Sequence, residues 1–166
     1  MSTVSLTTHV ECVLFDLDGT LVDTAADFQN VLDLMLDSDG RERVSRLQVN
    51  QTVSDGARAL IRLAYGLVEG DPHYDERLEQ LLSHYYDQLA RTAASPYPGI
   101  LPLLDSLEQA DIAWGVVTNK PEKYSRRLLA GIGLLDRCGS LICPENKSKK
   151  KPDPEPLLLA CRELGR

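Results

Sequence analysis

The chain has 166 residues, the length of one typical domain, and its 43% hydrophobic and 26% charged residues make it too apolar for a disordered protein. Its 18 basic and 25 acidic residues give a net charge of −7, which argues against a protein that binds nucleic acid or an anionic membrane. No apolar run approaches the roughly 20 residues that span a bilayer, and residues 1–11 lack the pattern of a signal peptide. We therefore expect a cytoplasmic protein.

The first predicted element is a strand over Val10–Phe15, a nearly continuous apolar run typical of a strand buried on both faces of a parallel sheet. Between Thr24 and Ser95 the apolar spacing indicates helices and no strand. These three helices begin near Asp23 or Thr24, at Ser54 and near Tyr74, and they end near Gly40, Gly66 and Arg91.

Beyond a proline-rich hinge at Ser95–Gly99, helical and strand-like segments alternate. They are a helix at Pro102–Ala110, a strand at Ile112–Val117, a helix at Glu122–Gly131, a strand at Ser140–Cys143 and a helix after Pro156. This alternation predicts an α/β fold with an open parallel sheet, interrupted after its first strand by a helical insertion.

The strongest functional signal is the run Asp16-Leu17-Asp18-Gly19-Thr20, which directly follows the first strand. Two carboxylates at positions i and i+2 can point to the same side, at the sheet edge where open α/β folds bind ligands. Because two close carboxylates repel each other, Mg²⁺ bound between Asp16 and Asp18 is the natural counter-ion. Gly19 permits a sharp turn whose amides could face an anion. The alternative is a charged turn at a strand end without a ligand.

Two further segments carry groups suited to phosphate. Thr118 and Asn119 follow the second sheet strand and precede a helix, where they could bind phosphate or simply cap that helix. In the basic run Lys147–Lys151 most side chains are expected to be solvated, including Lys147, Lys149 and Lys150. Lys151 differs because the proline that follows favours extended geometry for it.

Within the helical insertion, Ser54 and Arg58 lie at a predicted helix start. Exposed helix amides together with an arginine could bind a carboxylate or hydroxyl groups of a substrate. Arg58 could equally be a solvated residue on the helix face.

With these motifs the chain resembles the haloacid-dehalogenase superfamily, whose first motif is DxDGT, and the resemblance covers essentially the whole chain. The phrases DLDGTLVDT, YPGI, WGVVTNKP and KKPDPEPLLLAC look most like its phosphoglycolate phosphatase group, which includes a relative acting on N-acetylmuramic acid 6-phosphate. The resemblance implies a Rossmann-like core formed by residues 1–22 and 96–166, with a helical cap formed by residues 23–95.

The resemblance also implies roles for the predicted site residues. Asp16 would be the nucleophile that forms an aspartyl-phosphate, and Asp18 would be the general acid/base; together they would ligate Mg²⁺. The phosphate-binding residues would be Gly19, Thr20, Thr118, Asn119 and Lys151. The substrate would be a small phosphomonoester. The presence of Asp18 favours it over an alkyl halide, because an alkoxide leaving group needs a proton from an acid and a halide does not.

The fourth motif of the superfamily, an acidic strand end that completes the Mg²⁺ site, is expected after the last helix, but the sequence ends at Arg166. Without the strand that carries this motif, Val10–Phe15 would form an apolar sheet edge. We expect a truncated form of a longer enzyme; the alternative is a partner over this edge, for example in a dimer. A phosphosugar mutase and a non-catalytic phosphate-binding protein are the alternative functions; a receiver domain is disfavoured by the helical insertion.

Overall fold

A computed structural model describes residues 10–146 and 149–166 of the chain. The strands, in chain order, are β1 (Cys12–Phe15), β2 (Val22–Asp23), β3 (Ser95–Pro96), β4 (Ala113–Val117) and β5 (Leu141–Ile142). The helices are α1 (Ala25–Ser38), α2 (Arg46–Thr52), α3 (Ala57–Tyr65), α4 (Tyr74–Gln88), α5 (Ile100–Gln109), α6 (Glu122–Gly131) and α7 (Glu155–Glu163). Short 3-10 turns occupy Val53–Asp55, Leu89–Arg91 and Pro144–Asn146.

The central sheet is parallel, with the strand order β1-β4-β5. Phe15 pairs with Val116, and Val117 pairs with Ile142, so the strands end at a common edge. The predicted α/β fold with a parallel sheet is confirmed, although the predicted strands are longer than those observed. Among the described residues β1 pairs only with β4. It therefore lies at one edge of this sheet, and a dimer through that edge stays a prediction.

Close approach of the strands depends on Gly115 in β4. A Cβ atom added to this glycine would lie 2.8 Å from the carbonyl oxygen of Ser140 and 3.3 Å from a methyl carbon of Leu14. Next to it, Trp114 is 2% exposed and makes an edge-to-face contact with Phe15, with 6.2 Å between the ring centroids. The centre of the sheet is thus tightly packed, which holds the ends of β1 and β4 in register.

Residues 25–91 form four helices and two 3-10 turns, here called the helical segment. Phe28 of α1 stacks on Tyr85 of α4, with 3.9 Å between the ring centroids and 3° between the ring planes. A two-stranded antiparallel ladder between β2 and β3 joins the outgoing and returning chains. The division of the chain into a core and a cap at residues 23 and 95 stays a prediction.

Two details of the helical segment differ from the sequence prediction. The helix α2 was not predicted because Val49 is its one buried residue, although Ser45 and Gln48 form a capping box at its start. Ser54 does not begin a helix as expected: it lies in the 3-10 turn, and α3 begins after Gly56, whose φ is 84°. Glycine adopts this left-handed angle without strain, so the turn can end there.

Several expectations concern residues at the ends of the described ranges. The prediction for Lys147, and most of the prediction about residues 1–11, lie outside the described residues. Lys149 and Lys150 are exposed, as expected. All four cysteines are free thiols. Among the described residues, no helix combines the length and the apolar character needed to cross a membrane.

Candidate active site

A cavity of about 530 Å³ lies between the carboxyl ends of β1 and β4 and the helical segment. From the sheet side it is lined by Asp16, Asp18, Thr118, Asn119, Lys120, Pro121, Lys150 and Lys151. The opposite wall includes Phe28, Leu78, Leu82, Tyr85 and the loop from Val53 to Arg58. The structure therefore brings all the predicted site residues except Gly19 and Thr20 to one cavity.

Asp16 is the first residue after β1, and its side chain is 40% exposed. Its Oδ1 accepts a hydrogen bond of 2.5 Å from the ammonium group of Lys151. The same ammonium donates to the carbonyl oxygen of Val117 at 2.7 Å, so the lysine connects the ends of β1 and β4. A fixed cation beside an exposed carboxylate is suited to bind an anion that the carboxylate could attack.

Asp18 lies two residues further along and is more enclosed, with its side chain 17% exposed. Its Oδ1 accepts hydrogen bonds from Nζ of Lys120 at 2.7 Å and from the hydroxyl of Thr24 at 2.8 Å. Thr24 therefore does not cap α1 with its side chain; the backbone N–H of Ala25 is satisfied by the carboxylate of Asp23 instead. One oxygen of Asp18 is thus held by two donors from different parts of the chain.

Lys120 is nearly enclosed, with its side chain 8% exposed. Burial alone would lower its pKa, but the Asp18 carboxylate and the Tyr85 oxygen outweigh this effect and raise the pKa of the ammonium above its ordinary value. For the phenol of Tyr85 burial acts in the opposite direction and raises the pKa to about 12. The pair therefore exists at neutral pH as an ammonium group and a protonated phenol.

Thr118 and Asn119 have different environments. The Oγ1 of Thr118 accepts the backbone N–H of Lys120 at 3.0 Å, which leaves its hydroxyl proton available to a ligand. The side chain of Asn119 makes a reciprocal pair with the backbone of Lys151: it donates to the carbonyl oxygen at 3.1 Å and accepts the N–H at 3.0 Å. Asn119 therefore holds Lys151 in place with both ends of its amide, and its direct contact with phosphate stays a prediction.

The remaining predicted site residues lie at the rim. Gly19 and Thr20 are exposed in the turn that follows β1 and do not line the cavity. Gly19 has a φ of 76°, and an added Cβ atom would clash with the hydroxyl of Ser54, so this loop of the helical segment touches the turn. Arg58 lines the cavity but pairs with Glu69 at 2.8 Å, and both side chains are largely exposed.

Asp16 and Asp18 are the candidate ligands for a divalent cation. Within residues 10–146 and 149–166, no three His, Cys, Asp or Glu side chains form a group suited to a metal ion. No described residue donates a hydrogen bond to Oδ2 of Asp16, so this oxygen is open to a cation. Because Mg²⁺ prefers oxygen ligands and is commonly bound through one or two carboxylates, waters and substrate phosphate, this pair fits it.

Three contacts of the site were not predicted from the sequence: those of Lys120, Tyr85 and Thr24. Lys120 stands directly after the predicted pair Thr118 and Asn119, so its position at the strand end was a usable signal. Tyr85 gave none, because its apolar spacing within α4 is equally typical of a core residue.

Comparison with known proteins identifies the family and the fold of the chain. A family model described as haloacid dehalogenase-like hydrolase matches residues 13–166. The chain is 41% identical over 157 residues to the N-acetylmuramic acid 6-phosphate phosphatase of Pseudomonas aeruginosa PAO1, covering 95% of this chain and 69% of that protein. It is 37% identical over 153 residues to a phosphoglycolate phosphatase of Xanthomonas campestris pv. campestris strain 8004, covering 92% and 68%. A crystal structure described as a predicted phosphoglycolate phosphatase from Haemophilus somnus 129PT has the same fold, with a TM-score of 0.78 at 22% identity over 96% of this chain and 73% of that one.

Proposed function

The chain belongs to the haloacid dehalogenase-like hydrolase family and is a phosphoric monoester hydrolase, and we propose that it is a Mg²⁺-dependent phosphatase acting on a small sugar phosphate. The observation that carries this proposal is the convergence of two carboxylates, two lysines and a threonine on one cavity. Carboxylates supply a nucleophile and a proton carrier, and lysines and a hydroxyl hold phosphoryl oxygens.

In the proposed first step, a carboxylate oxygen of Asp16 attacks the phosphorus atom of the ester. The bond between phosphorus and the leaving oxygen breaks, and Asp18, which must enter this step as the protonated acid, donates its proton to that oxygen as the alcohol leaves. In the second step, water attacks the phosphorus of the aspartyl-phosphate while Asp18 accepts its proton. This step releases inorganic phosphate and regenerates both carboxyl groups in their starting forms.

The negative charge of the phosphoryl oxygens is met by residues of this chain. Lys151 touches Asp16 already and lies beside the position of attack, and Thr118 has a hydroxyl proton free to donate. Asn119 contributes through its hold on the Lys151 backbone. Mg²⁺ held by the carboxylate of Asp16 and by an oxygen of Asp18 other than the proton-carrying Oδ2 would supply further positive charge to the phosphoryl group.

The wall opposite the carboxylates supports a sugar phosphate over phosphoglycolate. The side chains of Phe28, Leu78, Leu82 and Tyr124 line the cavity beyond its polar floor. A cavity of about 530 Å³ falls in the range that encloses a ligand of several rings or substituents. Glycolate would leave most of this space empty, whereas an amino-sugar phosphate such as N-acetylmuramic acid 6-phosphate would fill it. We propose that the helical segment acts as a cap over this ligand.

The test is phosphate release by the purified full chain from N-acetylmuramic acid 6-phosphate and from 2-phosphoglycolate, each with and without Mg²⁺. We expect release that requires Mg²⁺ and a higher kcat/KM for the sugar phosphate. Asp16→Asn should lower kcat by more than about 10³-fold, because removal of a nucleophile removes the covalent step.

The matched control is Asp37→Asn, which makes the same chemical change at a half-exposed carboxylate in the last turn of α1. It should leave kcat unchanged. Full activity in Asp16→Asn would refute the assigned nucleophile, and a higher kcat/KM for phosphoglycolate would refute the proposed substrate class. The relatives favour neither the mutase nor the non-catalytic alternative. The cytoplasmic location stays a prediction.

A further inference from the structure

Lys120 joins the sheet side of the cavity to the helical segment through a single ammonium group. Its Nζ donates to Oδ1 of Asp18 at 2.7 Å and to the hydroxyl oxygen of Tyr85 at 2.8 Å. Asp18 follows β1, whereas Tyr85 lies in α4 and is 1% exposed. The three side chains therefore form a chain of hydrogen bonds across the cavity wall.

The aromatic rings of the helical segment surround the same ammonium. Nζ of Lys120 lies 4.6 Å from the ring centroid of Tyr85 and 5.3 Å from that of Phe28, within the range of cation–π attraction. These two rings stack on each other, which holds them in place relative to the lysine. The ammonium is thus enclosed by one carboxylate, one phenol and two ring faces.

We propose that Lys120 is a positioning residue, which orients Asp18 for proton transfer and ties this orientation to the helical segment through Tyr85. The proposal rests on the proposed function, in which Asp18 transfers the proton. Lys120 and Thr24 both donate to Oδ1, so the carboxyl group cannot turn without breaking two hydrogen bonds. Oδ2 is left as the oxygen that can exchange a proton with the substrate, in a fixed direction.

A purely structural role would not require a cation here. Enclosing an ammonium group is unfavourable unless it is paired, and an apolar side chain of similar size would fill the same space. The hydroxyl of Tyr85 likewise adds a contact that a phenylalanine would lack, while the stacking on Phe28 needs only the ring. The ammonium group of Lys120 and the hydroxyl group of Tyr85 are therefore accounted for by a role in orienting Asp18.

The experiment compares two ester substrates in the full chain carrying Lys120→Met, Lys120→Arg or Tyr85→Phe. A sugar phosphate has a strongly basic alkoxide leaving group that needs a proton, whereas p-nitrophenyl phosphate has a weakly basic one that does not. In Lys120→Met we expect kcat/KM, which reports the steps up to release of the alcohol, to fall by about 10²-fold for the sugar phosphate and by less than about 5-fold for p-nitrophenyl phosphate. Lys120→Arg should restore part of the loss, and Tyr85→Phe should show the same selectivity with a smaller effect.

Lys123→Met is the matched control, because Lys123 is exposed in α6 and contacts the rings of Tyr86 and Tyr124 without touching Asp18. It should leave both kcat/KM values unchanged. An equal fall in kcat/KM for both substrates in Lys120→Met would overturn the positioning role. If Lys120→Met does not fold, selectivity in Tyr85→Phe decides the question, and its absence there overturns the proposal.

A second measurement separates this proposal from the proposed function. If the wild-type chain releases no phosphate from any ester, the proposed function fails, and amide hydrogen exchange still tests the bridge itself. We expect faster exchange in the turn after β1 and in the last turns of α4 in Lys120→Met and Tyr85→Phe than in Lys123→Met. Unchanged exchange in both segments would show that the lysine does not connect them.

Discussion

Asp27 in the first turn of α1 is predicted to hold the two connections of the helical segment together. Its side chain is fully buried. Oδ1 accepts the backbone N–H of Ala93 at 2.6 Å and the amide of Gln88 at 3.3 Å, and Oδ2 accepts the hydroxyl of Thr92. These donors belong to the end of α4 and to the chain that returns to β3, so one carboxylate joins the outgoing and returning connections.

Replacing this carboxylate is expected to lower the stability substantially, because it removes three hydrogen bonds to a fully buried acceptor. A hydrogen bond to a charged group contributes about 1.5–3 kcal/mol, while the donors of Gln88, Thr92 and Ala93 belong to half-buried or exposed residues and can bind water instead. Since such contributions do not add fully, we expect Asp27→Ala to lower the free energy of unfolding by about 3–5 kcal/mol. Asp27→Asn should lose about 1–3 kcal/mol, because one oxygen acceptor remains while the new NH₂ faces a donor.

The measurement is equilibrium unfolding in urea, followed by the fluorescence of Trp114. This is the single tryptophan of the chain and is 2% exposed, so its emission changes on unfolding. Asp37→Ala is the control on the same helix; Asp37 is ion-paired with Arg43 on the surface, where such pairs contribute little, and its variant should unfold as the wild type does. A loss in Asp27→Ala no greater than that in Asp37→Ala would refute the argument.

Two further predictions concern the free energy of unfolding, one through packing in β4 and one through the pKa of a buried thiol. Gly115→Ala should lower the free energy of unfolding by about 1–3 kcal/mol in the same urea assay, because its Cβ would press on the carbonyl oxygen of Ser140; wild-type stability would contradict the close contact. Burial raises the pKa of the Cys143 thiol from its ordinary 9.0 to about 11. The folded chain then binds this proton more tightly than the unfolded chain, so a contribution of about 2–3 kcal/mol to the free energy of unfolding is present below pH 9 and lost as the pH rises to 11. Unfolding curves at several pH values should show that the free energy of unfolding falls more steeply between pH 9 and 11 in the wild type than in Cys143→Ala. An equal dependence on pH in the two proteins would contradict the raised pKa.

The sheet side of the site could be predicted from the sequence because its residues directly follow strands that hydrophobic patterning reveals. Asp16 follows one apolar run and Thr118 another, and parallel strands place their carboxyl ends at the same edge. Lys151 could be assigned only through the resemblance to a family, since its approach to Asp16 spans 135 positions of the chain. Nothing local in a run of lysines distinguishes the one that reaches the cavity.

The contacts between the sheet and the helical segment could not be predicted, because they depend on how two separately patterned parts pack. Lys120 meets Asp18 across 102 positions and Tyr85 across 35. A tyrosine on the apolar face of a helix predicts burial but does not identify what its hydroxyl contacts. The pairing of the Asn119 amide with the backbone of Lys151, 32 positions away, was likewise not predictable from the sequence.

The charges around the cavity bear on how a phosphate ester enters it. The lining has three carboxylates and four cationic side chains, and one of these cations, Arg58, pairs with Glu69 outside the lining. Asp16 and Asp18 already neutralise Lys151 and Lys120, so little positive charge remains for a dianionic phosphoryl group. A divalent cation would supply the missing charge, and by linkage each would then bind more tightly in the presence of the other. Calorimetric titration of the chain with orthophosphate should therefore show tighter binding with Mg²⁺ than without it, and equal affinity would show that the lysines alone suffice.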